Sequence, residues 1–424
     1  MRHNLDGQRA KIVVVGAGFA GLRAVKSLSQ VDAEVLLIDA HNYHTFIPLL
    51  YQVATGFIEP ELIAYPLRRV VRGYRNTNFL LAQVTGIDFV NQRVVTDSQT
   101  IAYDYLVIAT GSKTNFLGVS GAPQHTFPLR TLEDAISLRN QIIRCFEQAA
   151  KAVDDVQLQA QLMRFVIVGG GATGVEMAGA LQELIHNCLV KDYPQLDPNQ
   201  VQIILLQSGT SLLSVYPKRL RQYTLRQLRD RGIKVHFNSR VSATSVDGVC
   251  LEDNSTIAAA TIIWTAGIEA NIPTTDGDLT TVNKNKIEVL PTLQLPEYPQ
   301  VYAVGDVAYI KQDGEPLLSI APEALQQGSA IANNLKRQLK GRSPQAFNYF
   351  NKGSAAIIAR NAGVAYLFGK VPLQGFFGWL LWLGIHAYYL PGLSNRGKLL
   401  VAWLKDYLWR DRSVRQIITF GQKK

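Results

Sequence analysis

Two short runs of β-branched and aromatic apolar residues organise this chain: Ile12, Val13, Val14 and Val15 near its start, and Phe165, Val166, Ile167 and Val168 well inside it. An unbroken apolar run of this length, without polar alternation, predicts a strand buried on both faces of a parallel sheet. Each run ends in glycine and passes into a helical pattern: Gly16-Ala17-Gly18-Phe19-Ala20-Gly21 follows the first, and Gly169-Gly170-Gly171-Ala172-Thr173-Gly174 with a helix from 175 to about 189 follows the second. Strands are predicted over 34–38, 84–89, 93–96, 105–108, 201–206, 234–237, 248–252, 261–264 and 299–304, with a small strand pair over 357–365. Helices are predicted over 132–152 and 321–339, the second carrying Pro322 in its first turn, where a missing N–H costs nothing.

A glycine turn between a buried strand and a helix has a chemical reading. Gly16 permits the tight bend, Gly18 lets a pyrophosphate approach the backbone, and Gly21 allows close helix packing, while the helix N-terminus offers free N–H groups and a positive dipole end. The second strand delivers Asp39, whose carboxylate accepts from a ribose diol. One such turn is weak evidence; two complete ones predict two bound dinucleotides and electron transfer between them. The fold class expected is therefore α/β, with two Rossmann-like dinucleotide-binding domains, and the chemistry that of a flavoprotein fed by a nicotinamide. After the second turn, the strand over 201–206 ends in Gln207, where an acidic residue usually meets the adenosine ribose. Ser208, Thr210 and Ser211 follow, with no arginine immediately beside them. Two readings stand: acceptance of NADPH as well as NADH, or a plain hydrogen bond from Gln207 to the 2′-hydroxyl.

The end of the chain has a different pattern. No charged residue lies between Lys370 and Arg396, and the stretch carries Phe376, Phe377, Trp379, Leu380, Leu381, Trp382, Leu383, Tyr388 and Tyr389 with Gly375, Gly378 and Gly384. This length is at the lower edge for a spanning helix, and the aromatic load suits a membrane interface. Leu400, Trp403, Leu404, Tyr407 and Leu408 then recur at helical spacing, fringed by Lys398, Lys405 and Arg410, as in a helix lying in a membrane surface. The formal charge of +10 is assigned to the same contact, since no nucleic-acid-reading motif is present. Cys145, Cys188 and Cys250 are far apart, so no disulfide framework, redox-active pair or metal site is expected. The opening residues show no apolar signal segment, which places the protein on the cytoplasmic side where it is made.

His41 to Gly56, the two glycine turns, Leu129-Arg130-Thr131-Leu132-Glu133-Asp134-Ala135, Trp264-Thr265-Ala266-Gly267, Val304-Gly305-Asp306 and Gln326-Gln327-Gly328 together resemble the type II NAD(P)H dehydrogenases, single-subunit NAD(P)H:quinone oxidoreductases that pump no protons. The resemblance implies FAD as cofactor, NADH and/or NADPH as donor, a membrane quinone as acceptor, monotopic attachment and a homodimer. It implies FAD binding at Gly16, Gly18, Phe19, Ala20, Gly21, Asp39, Ala109, Thr110, Gly111, Gly305 and Asp306, the last on the ribityl chain. NAD(P)H is assigned to Gly169, Gly171, Ala172, Thr173, Gly174, Glu176, Gln207, Ala266 and Gly267. Glu176 is placed near nicotinamide and flavin, ordering both or moving a proton; a Glu in a helix's first turn that merely stabilises the dipole is the competing reading. Gln326 and Gln327 are expected to face the quinone side, with satisfaction of backbone groups the competing reading for Gln327, and Lys352 to lie near the flavin and quinone channel. The chain departs from the family's pattern at Pro322, often Gln, and Glu323, often a small residue. The domains expected are 1–117 and 290–345 for FAD, 118–289 for NAD(P)H inserted between them, and a C-terminal helical membrane-association region over 346–424. The competing functions are a sulfide:quinone reductase, which needs cysteines flanking the flavin, and a redox-sensing or scaffold flavoprotein.

Overall fold

The computed structural model describes residues 9–276, 279–283, 285–410, 412 and 414–418. Its contacts fall into two units, one of Met1–His44, Tyr65–Lys113 and Ile268–Phe350, the other of Thr45–Ala64, Thr114–Gly267 and Asn351–Lys424. The principal helices are, in chain order, α1 (Phe19–Leu28), α2 (Leu50–Ala54), α3 (Leu132–Ala149), α4 (Ala172–Leu184), α5 (Lys218–Arg229), α6 (Ala321–Leu339), α7 (Phe376–Tyr389) and α8 (Leu393–Trp409). Helices α1 and α6 belong to the first unit. The chain rejoins that unit at Ile268 rather than 290, and the C-terminal segment clusters with the second unit instead of standing by itself.

The first unit is built on a five-stranded parallel sheet in the order Val301–Ala303, Tyr105–Ile108, Lys11–Val15, Glu34–Asp39, Thr77–Leu81. Its central strand carries Ile12, Val13 and Val14 with no exposed surface, as a run without polar alternation requires. The edge strand Thr77–Leu81 has a mixed pattern and was not legible in the sequence. Helices α1 and α6 meet at close range because Gly328 has no side chain: a Cβ there would sit 2.3 Å from the Ala20 carbonyl oxygen.

The second unit repeats the plan, with parallel strands in the order Phe127–Pro128, Thr261–Trp264, Arg164–Val168, Gln202–Leu206, Lys234–His236. Helix α3 starts at a reciprocal cap, in which the Thr131 hydroxyl accepts from the Asp134 N–H at 3.0 Å and the Asp134 carboxylate accepts from the Thr131 N–H at 2.8 Å. It ends at Ala149, three residues before the predicted limit. Helix α4 runs into a π-helical turn, Ile185–Leu189, so the expected single long helix is two pieces of different pitch.

Beyond residue 350 the expected strand pair is a three-stranded antiparallel sheet of Gly353–Ala359, Ala362–Leu367 and Val371–Gly375. The third strand uses the first residues of the uncharged stretch, which leaves α7 only 14 residues. Glycine decides the packing here. A Cβ on Gly363 would lie 2.5 Å from the Trp379 nitrogen, one on Gly378 2.5 Å from the Gly363 carbonyl oxygen, and one on Gly179 of α4 1.6 Å from the Ile358 carbonyl oxygen. Helices α4 and α7 therefore both rest on sheet backbone with no side chain between. The amphipathic pattern expected over 400–408 belongs to a longer helix, since α8 begins at Leu393.

The contact at Gly179 is directly testable, because backbone atoms cannot yield as a flexible side chain can. Gly179→Ala should destabilise the protein by about 1–3 kcal/mol, the range for overpacking a tight interior, seen as a lower urea midpoint at unchanged slope. An unaltered midpoint would mean that α4 and the strand Gly353–Ala359 are not in backbone contact.

Candidate functional site

In the first unit the turn at residues 16–21 has the geometry its residues imply. Gly16 has φ +101°, and a Cβ there would stand 2.3 Å from the Ala109 carbonyl oxygen; one on Gly21 would stand 1.9 Å from the Gly16 carbonyl oxygen. Nothing lies within 4 Å of a Cβ built on Gly18, so the first turn of α1 opens onto free space, and no side chain caps its N-terminus. The Asp39 carboxylate accepts from the Ala17 N–H at 2.7 Å and the His41 N–H at 2.8 Å. An ionised carboxylate has about four acceptor positions, so capacity for a ribose diol remains. His44 supports the turn from behind: it is buried, its Nδ1 bonds the Ala17 carbonyl oxygen at 2.8 Å, and its ring meets Phe19 edge-on at 5.2 Å. Burial lowers its pKa, against the bond to Ala17 and the nearby Asp39 carboxylate.

The other assigned residues of this unit divide into two kinds. Thr110 keeps a buried hydroxyl with no hydrogen-bond partner among the described residues, and Asp306 accepts from the Ser112 hydroxyl at 2.7 Å. An orphaned hydroxyl beside an open glycine turn and an Asp fits FAD, whose pyrophosphate and ribityl groups would meet these atoms. Gln327, by contrast, is buried and accepts from the Gly305 N–H at 2.7 Å, and Gln326 exchanges two hydrogen bonds of 2.9 Å with the backbone of Phe350. Both amides satisfy backbone groups, the competing reading for Gln327, whereas for Gln326 the sequence predicts only the quinone side. The Glu323 carboxylate accepts from the Leu318 and Ser319 N–H groups at 3.1 and 2.8 Å, ordering the loop into α6. Burial raises its pKa against those bonds.

The second unit reproduces the turn. Gly169 has φ +114°, a Cβ on Gly174 would lie 1.9 Å from the Gly169 carbonyl oxygen, and the space over Gly171 is open. Thr265 bonds the carbonyl oxygens of Val168 and Gly169 at 2.9 and 3.2 Å, and Gly267, at φ +79°, passes the Asn115 carbonyl too closely for any side chain. Gln207 stands where Asp39 stands in the first unit and makes the same bond: its Oε1 accepts from the Gly170 N–H at 2.8 Å.

Glu176 is the fifth residue of α4, and no acidic residue occupies the first turn. Its side chain leaves the helix axis and is buried, accepting from the Trp382 indole N–H at 3.0 Å and the Ile357 N–H at 3.3 Å. Desolvation pushes its pKa up to about 8 against those two bonds. Neutral at pH 7, it does not serve the helix dipole. His386 stacks on Trp382 at 3.8 Å, and burial lowers its pKa to about 4. Glu176 also lines a narrow cleft walled by Tyr51, Gln52, Trp403, Glu183 and Arg412. The Gln52 amide bridges the Tyr51 hydroxyl at 3.0 Å and the Trp403 indole at 2.9 Å. Arg412, almost wholly buried, pairs with Glu183 at 2.8 Å and Asp406 at 3.5 Å, pinning the end of α8 to α4. Trp382, Trp403 and Arg412 were not singled out from sequence as partners of this site, since only the fold brings them near α4. Lys352 is exposed and does not line the cleft.

The pyridine nucleotide-disulphide oxidoreductase family matches residues 10–328. The chain is similar to the type II NADH:quinone oxidoreductase Ndh of Mycobacterium tuberculosis, 34% identical over 418 residues that cover 95% of this chain and 89% of that protein. It is 31% identical over 374 residues to the type II NADH:quinone oxidoreductase of Staphylococcus epidermidis, covering 85% and 90% of the two chains. Among solved structures, NDH2 from Plasmodium falciparum in complex with NADH has the same fold at a TM-score of 0.85 and 18% identity, over 97% of this chain and 100% of that one. The sulfide:quinone oxidoreductase of Aquifex aeolicus is similar at a TM-score of 0.72 and 20% identity, over 94% and 96%.

The buried acid makes a pH prediction. With its pKa raised from 4.5 to about 8, Glu176 contributes stability that is complete below the unfolded value and is lost as pH rises toward the folded one. Glu176→Gln keeps an oxygen for Trp382 and carries no titrating proton. Wild type should therefore lose stability relative to this variant between about pH 4.5 and 8, measured by urea unfolding at several pH values. Parallel curves would show that Glu176 titrates normally.

Proposed function

The chain belongs to the type II NADH:quinone oxidoreductases, and from that membership we infer that it is an FAD-dependent enzyme oxidising NADH and reducing a quinone. The observation that carries the reading is the duplicated glycine turn: two units, each with an open helix N-terminus at the end of a buried central strand. FAD, when bound, would supply the redox chemistry of accepting a hydride from the nicotinamide and delivering two electrons to the quinone. The protein contributes grip, orientation and proton placement. Gly16, Gly18 and Gly21 with the N-terminus of α1 would hold the FAD pyrophosphate, Asp39 the ribose, and Thr110 and Asp306 the ribityl side. Gly169, Gly171 and Gly174 with α4 hold the nicotinamide dinucleotide, and Ala266 and Gly267 offer backbone free of side-chain obstruction. Quinone reduction consumes two protons, and Glu176, protonated at neutral pH, is a buried acid suited to hold one. Gln326 and Gln327 act as positioning residues for backbone, and Lys352 is assigned to the quinone entrance.

The quinone is lipid-borne in this reading, and the enzyme attaches to one face of the membrane, on the cytoplasmic side and as a homodimer. Among the described residues no helix is long and apolar enough to cross a membrane. Helix α7 is about 21 Å long at 1.5 Å per residue, short of the roughly 30 Å hydrocarbon core. Yet Phe377 is 70% exposed, Leu404 56% and Leu408 59%, with Trp409 also exposed beside Lys405. Large apolar side chains in water on two successive helices, beside cations, support docking into a lipid surface.

Two experiments test this. Purified protein should be yellow, lose its flavin absorbance when NADH is added without oxygen, and regain it on addition of a short-chain quinone; a colour that NADH leaves untouched overturns the activity. In flotation with anionic phospholipid vesicles, Phe377→Asp with Leu404→Asp should weaken binding by at least about tenfold, given the apolar area each buries, while the bleaching is unchanged. Equal flotation of variant and wild type removes α7 and α8 from the membrane contact.

A further inference from the structure

Gln207 and Asp39 occupy the same place in two copies of one device. Asp39 ends the strand after the first glycine turn and Gln207 directly follows the strand after the second, and each accepts from the N–H of the residue between the first two glycines, at 2.7 Å from Ala17 and 2.8 Å from Gly170. The exchange of carboxylate for amide thus keeps the bond that shapes the turn and deletes only the charge. With Oε1 engaged, the amide presents its Nε2 donor, which lies 3.2 Å from where a Cβ on Gly209 would be. Aspartate at this point repels a phosphate; a glutamine donor attracts one.

The loop that follows supplies a cation from a distance. Arg221, in the first turn of α5, donates from Nη1 to the Ser211 hydroxyl at 2.9 Å, while its Nε is buried with no hydrogen-bond partner among the described residues. From Gln207 through Arg229 the sequence has no carboxylate and five basic residues, so nothing in that segment neutralises the guanidinium. The loop is also held in place: the Asn238 N–H donates to the Gly209 carbonyl at 3.1 Å, and the Ser239 N–H to that of Gln207 at 3.0 Å. A half-buried guanidinium bonded to a neutral hydroxyl, with a donor unspent, is matched by a doubly charged oxyanion far better than by water.

We propose that the adenosine end of the second dinucleotide site is built for a 2′-phosphate, with Arg221, Ser211 and the Gln207 amide as the residues that read it, so that NADPH is a donor for this enzyme. This rests on the reading of the second glycine turn as the nicotinamide dinucleotide site. Ser211 supplies a donor at the strand-to-helix loop, Arg221 the charge and Gln207 the absence of repulsion. The sequence alone hid the arrangement, because Arg221 lies ten residues beyond Ser211 and reaches it only once α5 folds back.

The test is calorimetric titration of the full-length, flavin-loaded protein with 5′-AMP, with 2′,5′-ADP and with inorganic phosphate. Wild type should bind 2′,5′-ADP at least about tenfold more tightly than 5′-AMP. Arg221→Ala should bring the two affinities together without weakening 5′-AMP, Arg221→Lys should restore part of the difference, and Gln207→Glu should reverse it. The ratio of kcat/KM for NADPH over NADH should fall in step. Should Arg221→Ala fail to fold, Ser211→Ala and Gln207→Glu carry the same comparison. Equal affinity of wild type for the two nucleotides overturns the proposal, as does inorganic phosphate binding as tightly as 2′,5′-ADP, which would mark a bare anion site. Failure of 5′-AMP itself to bind, with flavin retained, would instead sink the assignment of the second turn.

Discussion

Close approach of backbone to backbone at the glycine turns is the constraint on which the rest of this structure depends. At Gly21 and Gly174 the helix passes so near the turn that a Cβ would fall 1.9 Å from a carbonyl oxygen. That proximity aims the first N–H groups of α1 and α4 into open space above Gly18 and Gly171, where a pyrophosphate can replace water as their acceptor. Any side chain at these positions would tilt the helix and misdirect the donors. The same solution recurs where α6 meets α1 at Gly328, where α4 rests on Ile358 at Gly179, and where α7 rests on its sheet at Gly363 and Gly378. The binding surfaces and the C-terminal packing thus share one requirement.

The C-terminal segment does more than present apolar surface. Through Trp382 it donates the hydrogen bond that orients Glu176, and through Trp403 and Arg412 it braces Gln52 and Glu183 around the same cleft. A carboxyl group in this setting prefers its neutral form, because the two N–H bonds it accepts do not offset the loss of water. Helices that expose large apolar side chains on one face therefore also pack against a buried acid of α4. The two features are separable because the exposed residues, such as Phe377 and Leu404, differ from the buried ones, such as Trp382 and Trp403.

The two turns differ mainly in charge. Asp39 and Gln207 make one and the same contact with their glycine loops, and what surrounds them diverges. At Asp39 the carboxylate is retained; at Gln207 the charge is absent and a guanidinium stands at Ser211. The two copies of the fold share their geometry and differ in electrostatics, and in folds of this kind such a difference lets one architecture discriminate between nucleotides.

Most of the architecture was legible in the sequence because its signals are local. Ile12–Val15 and Phe165–Val168 are apolar without alternation, which only a doubly covered strand tolerates, and the glycines stand where sterics within one turn demand them. The family resemblance, the α/β class and the positions of Asp39 and Gln207 follow from such short-range rules. Tertiary structure decided the rest. The neutral state of Glu176 comes from exclusion of water and holds against the hydrogen bond donated by Trp382, 206 residues away. The amides of Gln326 and Gln327, equally suited to substrate or backbone by type, are committed to backbone by neighbours that no spacing rule identifies. The third C-terminal strand was hidden inside an apolar stretch whose composition fits helix and strand alike, and its pairing with Ala362–Leu367 settled the matter. Periodicity and turn chemistry report on residues adjacent in the chain, whereas desolvation and hydrogen-bond partnership are properties of residues that meet only after folding.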